Sequence, residues 1–189
     1  MSKDKIVDAA IKLFSELGYH RTSMDDIAKE ANVAKGTLYY HFTGKGELFE
    51  VIVTSGMHML REKVDQALTE DSDPDQLIRT IVSKHIELFS QYSELVHIIF
   101  NEMTNGIEPP ILERINKLKQ EYINFLSGVL TFGYTDGALK KFNSDIAAAG
   151  LLGMLESACM YVVSSNGKYT IDDLHETVNE LILPALLRN

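Results

Sequence analysis

The chain of 189 residues has one cysteine, Cys159. An intrachain disulfide is thereby excluded, which fits a reducing cytoplasm. Positive charge is also scarce: 27 Asp and Glu stand against 18 Lys and Arg, a formal net charge of -9. Taken alone, that balance argues against nucleic acid. Its distribution changes the reading. Residues 1–50 hold seven basic and eight acidic side chains, so the acidic excess lies in the remainder. Missing too are Gly-x-Ser-x-Gly, a Gly-rich phosphate loop and His-Glu-x-x-His, so an enzyme is not expected. The six His are scattered, and His85 and His97 lack close metal-ligand spacing. Neither a metal nor a cofactor is expected. No strand-like alternation, internal repeat or low-complexity tract stands out, which predicts an all-α chain. The opening MSKDKIVDAA lacks the continuous apolar core of a signal peptide. Residues 146–163 form the one long apolar stretch, broken by the charge of Glu156. Its length and its Ala and Gly content favour a buried helix over a membrane span, so a cytoplasmic protein with no membrane partner is expected.

What is present is helical patterning, organised around residues 22–45. Met24, Ile27, Ala28 and Ala31 recur at helical spacing over residues 24–31. Thr22 or Ser23 caps that helix, with Asp25 or Asp26 three residues on to close a capping box. Asn32 tolerates the left-handed conformation in which helices end. A second helix is predicted over residues 35–42, with Leu38 and Phe42 on its inner face. Gly36, Thr37 and Tyr40 then point outward, flanked by Tyr39 and His41. That outer face suits DNA. Gly36 permits close backbone approach, Tyr39 and Tyr40 carry hydroxyl donors on rigid rings, and Lys35 adds charge at a helix start. A helix-turn-helix places such a helix in the major groove. An amphipathic helix over residues 3–17, with Ile6, Ala9, Ala10, Leu13, Phe14 and Leu17 on its stripe and Gly18 at its end, supplies the roof.

Further helices are predicted over residues 45–68, 74–92, 94–103 and 110–132. Two more follow, over 146–163 and from Thr170 through Ile182. Asp73 to Gln76 and Thr170 to Asp173 read as capping boxes. Pro184 is expected to end or bend the last helix. Ala149, Gly153 and Ser157 recur at every fourth residue, so one face of the 146–163 helix is smooth. That helix is too apolar all round for a surface element and must be buried on more than one side. About nine helices result.

IVDAAIKLFSELGYHRTSMDDIAKEANVAKGTLYYHFTGKGELF, residues 6–49, resembles the DNA-binding domain of the TetR family of bacterial transcriptional regulators. The matched features are the AA..LF...GY first helix, the TSMDDIAKEANV second helix, the KGTLYYHF recognition helix, and a Lys followed by Glu-Leu. The resemblance implies an N-terminal three-helix helix-turn-helix domain over residues 1–46, then a helical ligand-binding and dimerisation domain over 47–189. Implied DNA contacts are Thr22, Ser23, Lys35, Gly36, Thr37, Tyr39, Tyr40, His41 and Lys45. Lys45 sits where a helix N-terminus and an ammonium together grip one phosphate. The chain departs from the family pattern at Gly44 and Gly46, where Ser or Asn and an acidic residue are usual, and at Ala34, where Ser is usual. The two glycines should weaken the start of the 45–68 helix by ~1 kcal/mol.

The resemblance also implies a homodimer built on the last two long helices, with Ala149, Gly153, Ser157, Leu174, Val178 and Leu181 at the interface. Such a dimer reads two half-sites of a double-stranded operator about one turn (~34 Å) or more apart. A ligand pocket in the body is implied as well, with His85, Phe89, Tyr92, His97, Phe100, Met103, Tyr122, Phe125, Glu156 and Cys159 as candidate lining, and Met57 beside them. Most aromatic and Met positions at helical spacing are plain core. The polar ones are the sharper candidates, because a buried polar group needs a partner. Glu156 leads them. A buried carboxylate would favour a cationic or hydrogen-bonding ligand, and an apolar or acyl ligand is equally open. The implied function is a ligand-responsive regulator, a repressor that a small-molecule inducer of unknown identity releases from a palindromic operator. The alternative is an activator or a ligand-independent regulator.

Overall fold

The computed structural model describes residues 2–67, 74–91, 108–135 and 137–188. Eight helices lie among them: α1 (Ser2–Leu17), α2 (Met24–Glu30), α3 (Lys35–His41), α4 (Lys45–Ala67), α5 (Pro74–Gln91), α6 (Pro109–Thr135), α7 (Ser144–Val163) and α8 (Ile171–Leu186). The short helix expected over 94–103 lies outside the described residues. Between described residues the only β pairing is one antiparallel bridge, Leu139 with Leu187. The described residues fall into two units, those of 1–57 with 94–118 and those of 58–93 with 119–189.

In the first unit the stripe of α1 makes the core. Ile6, Ala9, Ala10, Leu13 and Phe14 are buried, with Ile27 and Ala28 of α2 and Leu38 of α3. Gly18 closes α1 at φ +85°, and Asn32 closes α2 at +52°, the left-handed positions their residue types tolerate. Ser23 is the cap of α2, and Asp26 completes the box. At α3 the cap position is Ala34, whose side chain makes no bond. A missing cap costs ~1 kcal/mol. Fully burying Leu38 and Phe42 contributes ~1.5–3 kcal/mol each, so packing holds α3 without it. At α4 the weak start is braced in a way the glycines hide: the Glu47 carboxylate accepts from the Thr43 N–H and hydroxyl, both at 2.7 Å. Phe14, Tyr19 and Phe49 form an aromatic triangle with ring centres 5.2–6.1 Å apart.

In the second unit α5 packs on both α7 and α8, which also pack on each other. Ile78, Ile81, Val82 and Ile86 of α5, Ala148, Leu152 and Leu155 of α7 and Val178 of α8 are buried where these helices pack. Thr170 and Asp173 form the expected capping box on α8. Pro184 neither ends α8 nor stops it short. The helix runs on to Leu186, and the Pro184 carbonyl accepts from Lys140 Nζ at 2.5 Å. The bridge at Leu139 and the bond from Lys140 N–H to Leu186 O tie that final turn down, so the lost backbone bond of a proline is tolerated.

Candidate functional site

α3 is two-sided. Leu38 is 0% exposed and points into the core, while Tyr40 stands 86% exposed on the opposite side. Tyr39 is half exposed, Lys35 and Gly36 are exposed, and Thr37 and His41 are half-buried. Nothing lies within 4 Å of where a Cβ on Gly36 would stand, so the backbone there is open to approach. His41 Nε2 lies 2.9 Å from Ser2 Oγ, which fixes one flank of the helix to the start of α1. The Lys35 ammonium is paired with Asp25 Oδ2 at 2.6 Å. That bond holds the ammonium above its ordinary pKa. Asp25 of α2 therefore stands beside the head of α3, a position that the capping pattern alone did not assign.

Three expected DNA contacts, Thr22, Ser23 and Lys45, are engaged within the protein. Thr22 is 1% exposed, and its hydroxyl donates toward the Leu13 and Gly18 carbonyls at 3.1 and 2.9 Å. It secures the turn after α1. Ser23 is exposed and caps α2, its hydroxyl bonded to Asp26. Lys45 does not reach outward at the head of α4. Its ammonium donates to the carbonyls of Tyr19, Thr22 and His20 at 2.6, 3.0 and 3.4 Å. It also lies 4.3 Å from the Tyr19 ring centre, a cation–π contact. The ammonium satisfies carbonyls of the connection between α1 and α2, which no helix pairs. Sequence reading placed Lys45 correctly at a helix start but could not see which way its stem would turn.

In the body, His85 and Tyr122 form a closed polar pair. His85 is fully buried and Tyr122 nearly so. Nδ1–H donates to the Ile81 carbonyl at 2.7 Å, and Nε2 accepts from the Tyr122 hydroxyl at 2.9 Å. This assignment uses the neutral ring's one donor and one acceptor. Burial pushes the His85 pKa down to about 4 and raises that of Tyr122. Phe89 stacks near His85, and Phe125 near Tyr122. The Arg61 guanidinium lies 5.1 Å from the Phe125 ring centre. Glu156 is 13% exposed and paired with Lys119 at 2.8 Å. Burial raises its pKa, and the Lys119 bond pulls the other way. Cys159 is buried, its thiol pushed up to about 12 by burial and then by the Glu156 charge. Met57 is half-buried. Tyr92, His97, Phe100 and Met103 lie outside the described residues.

α7 has two faces. Ala148, Leu151, Leu152, Leu155 and Cys159 are buried within the protomer. On the other face Ile146 is 72% exposed and Tyr161 64%, with Ala149 and Ser157 exposed and Gly153 half-buried. α7 is apolar enough to cross a membrane, with mean hydropathy 1.7, yet only 28% of that window is buried here. On α8, Leu174 and Val178 are packed inside the protomer, whereas Leu181 is 59% exposed. A shallow apolar groove of about 230 Å³ lies between α7 and α8, lined by Ala158, Tyr161, Val162, Tyr169 and Leu174 among others.

Comparison with known proteins adds independent findings. A family model for bacterial regulatory proteins, tetR family, matches residues 6–52, and one for a tetracyclin repressor-like C-terminal domain matches residues 71–186. The fatty acid metabolism regulator protein of Bacillus subtilis is 26% identical over 183 residues, covering 96% of this chain and 94% of that one. The IcaR negative transcriptional regulator of the Staphylococcus aureus biofilm operon icaADBC is 58% identical over 48 residues, 25% of this chain and 26% of IcaR. In three dimensions the chain resembles the transcriptional regulator FadR from Bacillus subtilis, solved in complex with stearoyl-CoA. The TM-score is 0.86 at 26% identity, over 96% of this chain and 98% of that one.

Proposed function

Because this chain belongs to the tetR family of bacterial regulatory proteins, we propose that it is a cytoplasmic transcriptional repressor that binds a palindromic operator as a homodimer. A small-molecule inducer releases it. The observation that carries the reading is the two-sided α3, with Leu38 and Phe42 holding it down and Tyr39 and Tyr40 presented outward. Residues 1–46 are the reading head in this proposal, and 47–189 the sensing and dimerising body. The reading head approaches phosphates and base edges through Lys35, Gly36, Thr37, Tyr39, Tyr40 and His41, with Ser23 beside them. The homodimer buries the outer face of α7, where Ile146, Ala149, Gly153, Ser157 and Tyr161 line up, with Leu181 of α8. An apolar helix with so little of its surface covered in the protomer calls for a second copy.

The inducer we propose is a fatty acyl thioester of coenzyme A. The likeness to a regulator solved with stearoyl-CoA supports that class, and so do the apolar rings of Phe89 and Phe125 beside the neutral His85–Tyr122 pair. Inducer binding shifts α4, changes the separation of the two α3 helices and lowers operator affinity. A coupling of ~1–3 kcal/mol between the two sites changes affinity 5–150-fold. The test is selection of bound sequences from random duplex DNA at a stated salt concentration. The selected operator is then titrated with and without stearoyl-CoA. A palindromic consensus whose affinity falls with the thioester is the expected result. No consensus overturns DNA reading, and a consensus indifferent to the thioester overturns the inducer class. Deleting the gene should raise expression from the consensus-bearing promoter; a fall would make the protein an activator.

A further inference from the structure

The reading head is braced by a stretch of chain distant in sequence. Glu108 and the first turns of α6 belong to the same unit as α1, α2 and α3. The Tyr19 hydroxyl donates to Glu108 Oε2 at 3.0 Å. Arg114 grips the Glu50 carboxylate through both Nε and Nη2, the latter at 2.6 Å from Oε2. Between these polar bonds the buried Ile111 lies against Gly46. A Cβ at position 46 would overlap the Ile111 δ-methyl and come within 3.3 Å of Glu108 Oε2.

Glycine inside a helix is unfavourable by ~1 kcal/mol against alanine. Here it has a physical reason, because it is the seat on which Ile111 rests. Position 46 also adjoins Lys45, whose ammonium holds the carbonyls of Tyr19, His20 and Thr22. Thr22 leads directly into the Ser23 cap of α2, and α3 packs on α2. A displacement at the seat therefore passes through Lys45 to the helix pair that reads DNA.

We infer that Ile111, seated on Gly46 between the Glu108–Tyr19 and Arg114–Glu50 bonds, is a positioning residue for DNA reading. It sets the attitude of the first turn of α4 against α1–α3, and through it the half-site separation that the homodimer accepts. This rests on the regulator reading above. The inference is tested with the full-length protein as Gly46→Ala, Ile111→Val and the double variant. Valine lacks the δ-methyl that the new Cβ would meet. Each protein is titrated against the operator selected by the unaltered protein, and against a set of duplexes in which its half-sites are moved apart or together by single base pairs.

Gly46→Ala is expected to weaken operator binding by about tenfold and to shift the preferred separation, with the double variant returning to within about threefold. Alanine alone favours the helix, so a purely local effect predicts higher stability, unchanged DNA reading and no dependence on residue 111. Unchanged affinity and separation in Gly46→Ala would overturn the inference, as would a loss that Ile111→Val does not rescue. Should Gly46→Ala not fold, Glu108→Gln with Arg114→Gln carries the test. Loosening both flanking bonds must broaden the accepted separations, and an unchanged profile overturns the seat. An unaltered protein that selects no sequence defeats the regulator reading and this inference with it. One that selects normally while Gly46→Ala matches it defeats the seat alone.

Discussion

Lowering the pH should destabilise the body through His85 in particular, and the size of the effect follows from its surroundings. In the folded chain the imidazole is fully buried with a pKa near 4, against an ordinary value of 6.5. Between those values the unfolded chain holds a proton at His85 and the folded chain does not. Unfolding then takes up a proton, so falling pH favours it. The contribution is complete above pH 6.5 and is lost as the pH falls toward 4. From pH 7.5 to pH 5.0 the loss is about 2 kcal/mol per protomer. Carboxylates such as Asp26 and Asp173 also shift with pH, so the effect must be isolated by difference. The comparison is His85→Leu with Tyr122→Phe, which removes both members of the hydrogen-bonded pair and leaves neither orphaned. Urea denaturation at both pH values and fixed protein concentration should show the unaltered protein losing about 2 kcal/mol more than the double variant. Parallel losses would refute the buried neutral imidazole.

Four further outcomes are expected. Lys45→Met keeps the stem but removes the ammonium from three carbonyls, and denaturant titration should show a loss of about 2 kcal/mol. Unchanged stability with a shallower salt dependence of DNA binding would instead make Lys45 a phosphate ligand. Asp25→Asn frees Lys35 and removes a negative charge beside the head of α3; fluorescence anisotropy should show tighter DNA binding and a salt slope steeper by about one ion, and an unchanged slope would refute the pairing's role. Tyr40→Ala should weaken binding to operator and unrelated duplex alike, as loss of a phosphate contact does, so equal affinity removes Tyr40 from the interface. Ile146→Glu places a charge on the outer face of α7, and sedimentation equilibrium should find monomers with operator affinity lost. A dimer of unaltered strength would move the interface elsewhere.

Much of the fold was legible because its signals are local. The stripe of α1, the Ser23 and Thr170 boxes, the left-handed Asn32 and the two-sided α3 each depend on residues within a turn or two of one another. Pro184 does not end α8, because bonds between residues 138–140 and the end of the chain, some 45 positions on, hold its last turn. Glu156 was singled out as a polar residue on an apolar helix, and its partner Lys119 could not be read from spacing. Gly46 looked like a defect until Ile111 was found resting on it.

By itself, then, the sequence determined the eight described helices, their order and the side of α3 that faces out, since 3.6-residue periodicity and capping are properties of neighbouring residues. Only the tertiary structure decided who meets whom. It joined His85 to Tyr122, Lys35 to Asp25, Lys45 to three backbone carbonyls and Ile111 to Gly46. A long side chain has many rotamers of similar energy, and the one it adopts depends on charge, space and unpaired carbonyls brought near by distant parts of the chain.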